Sequence, residues 1–193
     1  MKKIACLIWV ILISTAWGAE FEVDFHRDMS GLKMMYVVTD GGPTITPGDS
    51  WYIQDVRDKI FWSKSRSCGP EAGANVTNWW GYAYTFDEIA AALNWEPDCG
   101  VFLGNMLTGL QSLMPDLTVE MTGADMALIR EEISSNRPVI FYCARFQHTV
   151  PHYVTVVGYD GNTLIVHGQD VSDADPVLSG DGSSGGCFIG SLF

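Results

Sequence analysis

Basic residues are scarce in this chain. Its 193 residues include 11 Lys and Arg against 23 Asp and Glu, a formal net charge of -12. The few cations are scattered rather than clustered, which argues against nucleic acid and anionic membranes as partners. Charged residues of both signs amount to only 18%, while hydrophobic residues reach 47%. That balance supports a packed core and excludes global disorder. The length fits one domain. There is no internal repeat and no low-complexity tract. HExxH and CxxC patterns are also lacking, so His148, His152, His167 and Asp170 would have to converge on a metal from separate short elements. No metal and no cofactor is expected.

Long apolar runs are missing except at the start. Lys2 and Lys3 precede a nearly non-polar stretch from Ile4 to Trp17, with the small residues Ala16 and Gly18 at the end. This reads as a signal peptide over residues 1–18, cleaved after Gly18, and places the mature chain outside the cytoplasm, periplasmic or secreted. The run is short for a membrane span. Cysteines are few: five in all, of which Cys6 would leave with the signal. Cys68, Cys99, Cys143 and Cys187 remain. In an exported chain they form either two disulfides, or one reactive thiol with the others paired or buried.

Residues 19–50 read as an exposed N-terminal arm, with strand-like alternation from Phe21 to Phe25 and turn signals at Gly41–Pro43 and Pro47–Asp49. The main domain is expected over residues 51–193. From Cys68 the period becomes helical. Ala72, Val76, Trp79 and Trp80 share one face, and Gly81 stops the helix. Thr85 and Glu88 form a capping box for a second helix ending near Asn94. Leu103 to Leu113 mark a third, and Met126 to Ile133 a fourth that ends before Pro138. Strands follow: Val139–Cys143, His152–Tyr159, the turn Asp160-Gly161-Asn162, and Thr163–His167. Helices followed by antiparallel strands predict an α+β fold, a helical half packed on a C-terminal antiparallel sheet. The tryptophans Trp51, Trp62, Trp79, Trp80 and Trp95 read as core or cleft wall.

In Ser67-Cys68-Gly69-Pro70 a cysteine stands just before a helix, with Pro70 suited to its first turn. A helix N-terminus favours thiolate over thiol and offers N–H groups to an oxyanion, so Cys68 is expected to be a free thiol of lowered pKa. The other reading is a structural or bridged cysteine. A cysteine nucleophile needs a histidine within hydrogen-bond reach. His152 opens a strong strand on the face of Val154 and Val156. His148 lies in the preceding loop, at the rim, and His26 is in the arm.

Ser67-Cys68-Gly69-Pro70, Arg137-Pro138-Val139-Ile140 and the run Pro151-His152-Tyr153-Val154-Thr155-Val156-Val157-Gly158-Tyr159-Asp160 together resemble the papain-like cysteine peptidases. The branch they most resemble is that of the bacteriocin-processing, double-glycine-leader peptidases. The resemblance covers roughly residues 50 to 170. It implies a Cys68–His152 pair at a cleft between helices and sheet, a peptide or protein substrate, and acyl transfer to water through a thioester. The family completes its oxyanion hole with a glutamine ahead of the cysteine, and the nearest here is Gln54, in Trp51-Tyr52-Ile53-Gln54. It orients the histidine with an acid or amide beyond the return strand. In His167-Gly168-Gln169-Asp170 that places Asp170 first and Gln169 as the amide alternative. His167 can hydrogen-bond there without supplying negative charge, and Asp173 and Asp175 read as loop acids. Three rival readings use the same residues: an inactive binding module, a transglutaminase-like acyl transferase, and a structural domain in which Cys68 is bridged.

Overall fold

A computed structural model describes residues 19–53, 66–147 and 150–168. The expected signal segment lies outside the described residues. The strands β1 (Ala19–Asp24), β2 (Met29–Thr39) and β3 (Ser50–Tyr52) come first. Three helices follow: α1 (Cys68–Trp79), α2 (Phe86–Ala92) and α3 (Leu103–Leu113). Then come β4 (Thr118–Gly123), α4 (Met126–Ser134), β5 (Val139–Phe146), β6 (Val150–Asp160) and β7 (Thr163–Gly168).

The local signals explain several boundaries. Thr85 accepts from the Glu88 N–H while the Glu88 carboxylate accepts from the Thr85 N–H, so the capping box that starts α2 is formed. Gly81 adopts φ +88 just beyond α1, and Gly161 adopts φ +55 in the β6–β7 turn. These are left-handed conformations in which a β-carbon is costly.

The strands form one antiparallel sheet in the order β1-β7-β6-β5-β2-β4, with β3 added to β6. The class is α+β, as the helix and strand periods predict. The exposed arm is not: β1 pairs with β7, and β2 lies between β5 and β4. Met35, Tyr36 and Val38 of β2 are fully buried. A strand covered on both faces shows no alternation of polar and apolar residues, which is why β2 does not announce itself.

Both faces of the sheet are covered. On one, Tyr36, Ile140, Tyr142 and Tyr153 pack with Ala72 and Val76 of α1, Ile89 of α2 and Leu110 of α3. On the other, Met35, Phe141, Cys143, Val154 and Val156 pack with Ile129 and Ile133 of α4. β5 alternates between the two cores residue by residue, which accounts for its continuous apolar sequence. Arg137, just beyond α4, is buried in an ion pair with Glu132 at 2.6 Å and donates to the Gly42 carbonyl at 3.4 Å.

Helices α2 and α3 meet at Gly109, where a β-carbon would stand 2.6 Å from the Ala92 carbonyl oxygen and 2.6 Å from Leu93 Cδ2. Gly109→Ala should therefore destabilise the fold by about 1–3 kcal/mol through overpacking. Gly104→Ala, on the same helix with open space around it, should instead stabilise by about 0.5–1 kcal/mol. Urea denaturation of the two variants checks the contrast.

Candidate active site

The site starts with the first residue of α1. Cys68 is a free, half-buried thiol. This removes the reading in which it forms a disulfide. After Cys68 its helix carries nine consecutive buried residues, Gly69 to Thr77, docked on the sheet. The Thr155 hydroxyl of β6 lies 3.5 Å from the Ala72 carbonyl of α1. Gly69 is required by the contact with Val101, ahead of α3, since a β-carbon there would fall 2.7 Å from Val101 Cγ2.

The thiol sits among main-chain donors. The N–H groups of Tyr153, Gly69 and Cys68 itself act on the sulfur and pull its pKa down. Burial acts against them and is the larger effect, and the Glu71 carboxylate adds to it, so the thiol is pushed up to about 11. The expectation of a lowered pKa is thus overturned. A helix N-terminus supplies about half a positive charge, and here that does not compensate the loss of water. Glu71 is buried one turn into α1 and accepts from the Ser67 hydroxyl.

Three tyrosines underlie the thiol. Tyr142 and Tyr153 have ring centroids 4.9 Å apart, and Tyr36 stands 6.3 Å from Tyr153. Tyr36 donates to the Leu103 carbonyl at 3.0 Å and Tyr153 to the Val101 carbonyl at 3.2 Å. Burial raises the pKa of all three, so they are neutral phenols. Sequence reasoning passed over them. The one available signal was that Tyr153 directly follows His152.

His152 is buried on β6, paired across the strands with Cys143 and with its ring 5.2 Å from that of Phe146. Those neighbours belong to the α4 face. Strand alternation puts Tyr153 on the α1 face, where Cys68 packs. The structure therefore brings Cys68 to the main chain next to His152, while the two side chains start from opposite faces. The pairing of β5 with β6 is irregular at this end, with a register shift between Cys143 and Phe146.

Gln54, His148, Gln169, Asp170, Asp173 and Asp175 lie outside the described residues, as do Trp62 and Cys187. His167 is buried and its Nε2 stands 3.0 Å from Glu20 Oε2 across the β1–β7 pair. His26 is exposed in the β1–β2 turn. Cys143 is free, buried, and its thiol donates to the Ser30 carbonyl at 3.3 Å. Cys99 is disulfide-bonded. Of the two cysteine schemes, a free thiol with the others paired or buried is the one that fits Cys68, Cys99 and Cys143. Among the described residues no cluster of three or more His, Cys, Asp or Glu could hold a metal ion. No helix among them is long and apolar enough to cross a membrane.

A cavity of about 580 Å³ is lined by Trp79, Trp80, Pro43, Ile45 and Arg137, among others. It lies at the far end of α1, about 17 Å from Cys68 at 1.5 Å per helical residue.

Comparison with known proteins bears on this arrangement. No curated protein and no solved structure matches the chain. The Peptidase_C39 like family matches residues 50–177, which spans the turn of Cys68, all four helices and the β5–β7 strands. With about two thirds of its length matched, and with a free cysteine at the head of its first helix docked beside the histidine strand, the chain belongs to the Peptidase_C39 like family of cysteine peptidases.

Proposed function

We propose that this protein is an exported hydrolase that cleaves peptide bonds through a thioester on Cys68, in the manner of the double-glycine-leader processing peptidases. One observation carries the reading. A free cysteine at a helix N-terminus lies against the Tyr153 N–H, one residue from His152, the third residue of β6 and within the matched region.

In this mechanism the thiol rests protonated. His152 removes its proton as the sulfur attacks the scissile carbonyl carbon. The N–H groups of Cys68 and Gly69 that face the sulfur are placed to donate to the resulting oxyanion, with Gln54 as the side-chain donor. The imidazolium then returns the proton to the leaving amine. Water, deprotonated by the same ring, resolves the thioester. Asp170 orients His152 and stabilises its charge. Because the two side chains start from opposite faces, His152 can reach the sulfur only if the β6 main chain turns its ring to the α1 face, near the register shift opposite Phe146.

The raised pKa of Cys68 gives one specific observation in favour of a rival, a binding module that has kept the fold without the chemistry. Mutants separate the two. Cleavage of a mixed peptide library should vanish in Cys68→Ala while stability changes by no more than about 1–2 kcal/mol. His152→Ala should lose several orders of magnitude in kcat/KM, because base and nucleophile act as a unit. His148→Ala should lose little, and Asp170→Asn should fall between. A wild-type protein that turns over no peptide in this assay is the binding module.

A second prediction follows from the neutral thiol. The rate at which iodoacetamide alkylates Cys68 should rise about tenfold per pH unit from neutral pH toward 11, since only the thiolate reacts. A plateau beginning near pH 5 would show a preformed thiolate–imidazolium pair, and the protonated resting state assigned above would be wrong.

A further inference from the structure

The cavity at the far end of α1 lies too far from Cys68 to meet the reacting bond, yet its wall is elaborately held. Trp79 is the last residue of α1 and Trp80 follows as its C-cap. Trp79 packs against the core on the α4 face, and Trp80 against the core on the helical face. Both indoles are half-buried, so each keeps part of its ring for the cavity they line. The rest of the wall comes from the connection between β2 and β3 and from the turn after α4, Ser135 to Arg137.

These segments are pinned to one another. The Ile45 N–H donates to the Ser135 hydroxyl at 2.9 Å. Arg137 donates from Nε to Glu132 at 2.6 Å and from Nη1 to the Gly42 carbonyl at 3.4 Å. Asn136 adopts φ 57 and accepts from the Trp51 indole N–H at 3.3 Å. A left-handed residue with a side chain is kept so by its surroundings, and such residues cluster at ligand sites. Of the three large hydrophobic residues exposed among those described, Ile45 lines this cavity and Trp51 touches its wall at Asn136. Exposed apolar side chains gathered in one place mark a binding surface.

Several polar groups of the wall remain unpaired. Arg137 is 5% exposed, and its Nη2 has no hydrogen-bond acceptor among the described residues. The Trp80 indole N–H is buried and also lacks an acceptor. Asn136 commits its side-chain oxygen to Trp51 and keeps its amide N–H groups. Asp40 accepts the Gly42 N–H on Oδ1 and keeps Oδ2. An unpaired buried donor is costly, so a ligand that supplies acceptors gains affinity here.

Charge and shape narrow the class of ligand. Glu132 neutralises Arg137, and Asp40 leaves the site acidic in a chain of net charge -12. An anion is therefore disfavoured, and a cation would meet the guanidinium. A purely apolar group would cover Arg137 Nη2 and leave it without a partner. A sugar ring has the remaining combination: an apolar C–H face to lie on an indole, and hydroxyls that both donate and accept. At about 580 Å³ the cavity is of the size that holds small ligands.

We infer that this cavity is a binding site for a neutral saccharide, with a sugar ring on the indoles of Trp79 and Trp80 and its hydroxyls on Arg137, Asn136 and Asp40. The site is separate from Cys68, and the inference does not rest on the hydrolase reading.

The test is an NMR titration of the protein that follows its indole N–H signals, assigned through Trp79→Phe and Trp80→Phe. The probes are neutral oligosaccharides of glucose, galactose, mannose and N-acetylglucosamine, each at about 10 mM, tenfold above a millimolar Kd. At least one should shift the Trp79 and Trp80 signals saturably and leave that of Trp95 in place. Asn136→Gly keeps the left-handed turn and removes the amide, and Asp40→Asn removes an acceptor at the exposed rim. Each should weaken that binding by roughly five- to tenfold, the effect of one hydrogen bond. Silence toward all four sugars overturns the inference, and so does binding that neither variant weakens. Phenylacetate at the same concentration should leave both indoles unmoved. If it shifts them and the sugars do not, the site takes an anion and the saccharide reading is wrong. Saccharide binding and peptide cleavage are read independently, so either reading can fail without the other.

Discussion

The docking of α1 on β6 is the contact on which the remainder of the molecule depends. It joins the helical layer to the sheet through Ala72 and Thr155, and it sets Cys68 against the Tyr153 N–H. Both partners are otherwise constrained. α1 is held from behind by α2 and α3, with Gly73 close to Leu93, Ile89 and Leu110. β6 is held by β5 and β7 and is buried along most of its length. Neither can shift without disturbing a core, so the sulfur's position is determined by packing over the whole domain. The same packing shields the sulfur from much of the water around it. Precise placement and a raised thiol pKa are two consequences of one contact.

That coupling decides how the catalytic step would run. In a wetter site the helix terminus and the three N–H groups would favour a standing thiolate. Here burial outweighs them, and Glu71 adds a like charge. The donors are still useful, because their effect is greatest when negative charge develops. At rest they face a neutral sulfur. During attack the charge moves to the carbonyl oxygen, and donors already in place need no reorganisation. A protonated resting thiol is also less exposed to oxidation, which proceeds through the thiolate.

Much of this was legible in the sequence, and the rest was hidden for physical reasons. α1, α3 and α4 follow from apolar spacing, α2 from its capping box, and the β6–β7 hairpin from Asp160-Gly161-Asn162. Ser67-Cys68-Gly69-Pro70 located the thiol because helix starts have local chemistry. β2 was misread as exposed arm because its two faces feed different cores, so Met35, Tyr36 and Val38 are buried without a period. β4 was missed for the opposite reason. It is an edge strand in which only Val119 is buried, so its burial pattern is nearly featureless. The pKa of Cys68 was misjudged because local sequence reveals the helix dipole but not the burial, which is contributed by residues far along the chain. The contacts between Arg66 and the Trp95–Val101 loop span about thirty positions and leave no periodic trace.

The position of the cavity sharpens what the substrate site must be. Trp79, Trp80 and Arg137 would make an attractive pocket by composition, but they are a whole helix away from the sulfur. A side chain adjoining the scissile bond spans only a few ångströms, and an extended peptide advances about 3.3 Å per residue. Roughly five residues would be needed to connect that cavity to a carbonyl poised over Cys68. It therefore cannot select the residue at the cleaved bond. Such selection has to come from groups beside the sulfur: Tyr153 of β6, the Val101 contact on Gly69, and the turn of Arg66 and Ser67. All three are touched by the loop from Trp95 to Val101. In this fold, holding the nucleophile and shaping what it can reach are functions of the same few residues.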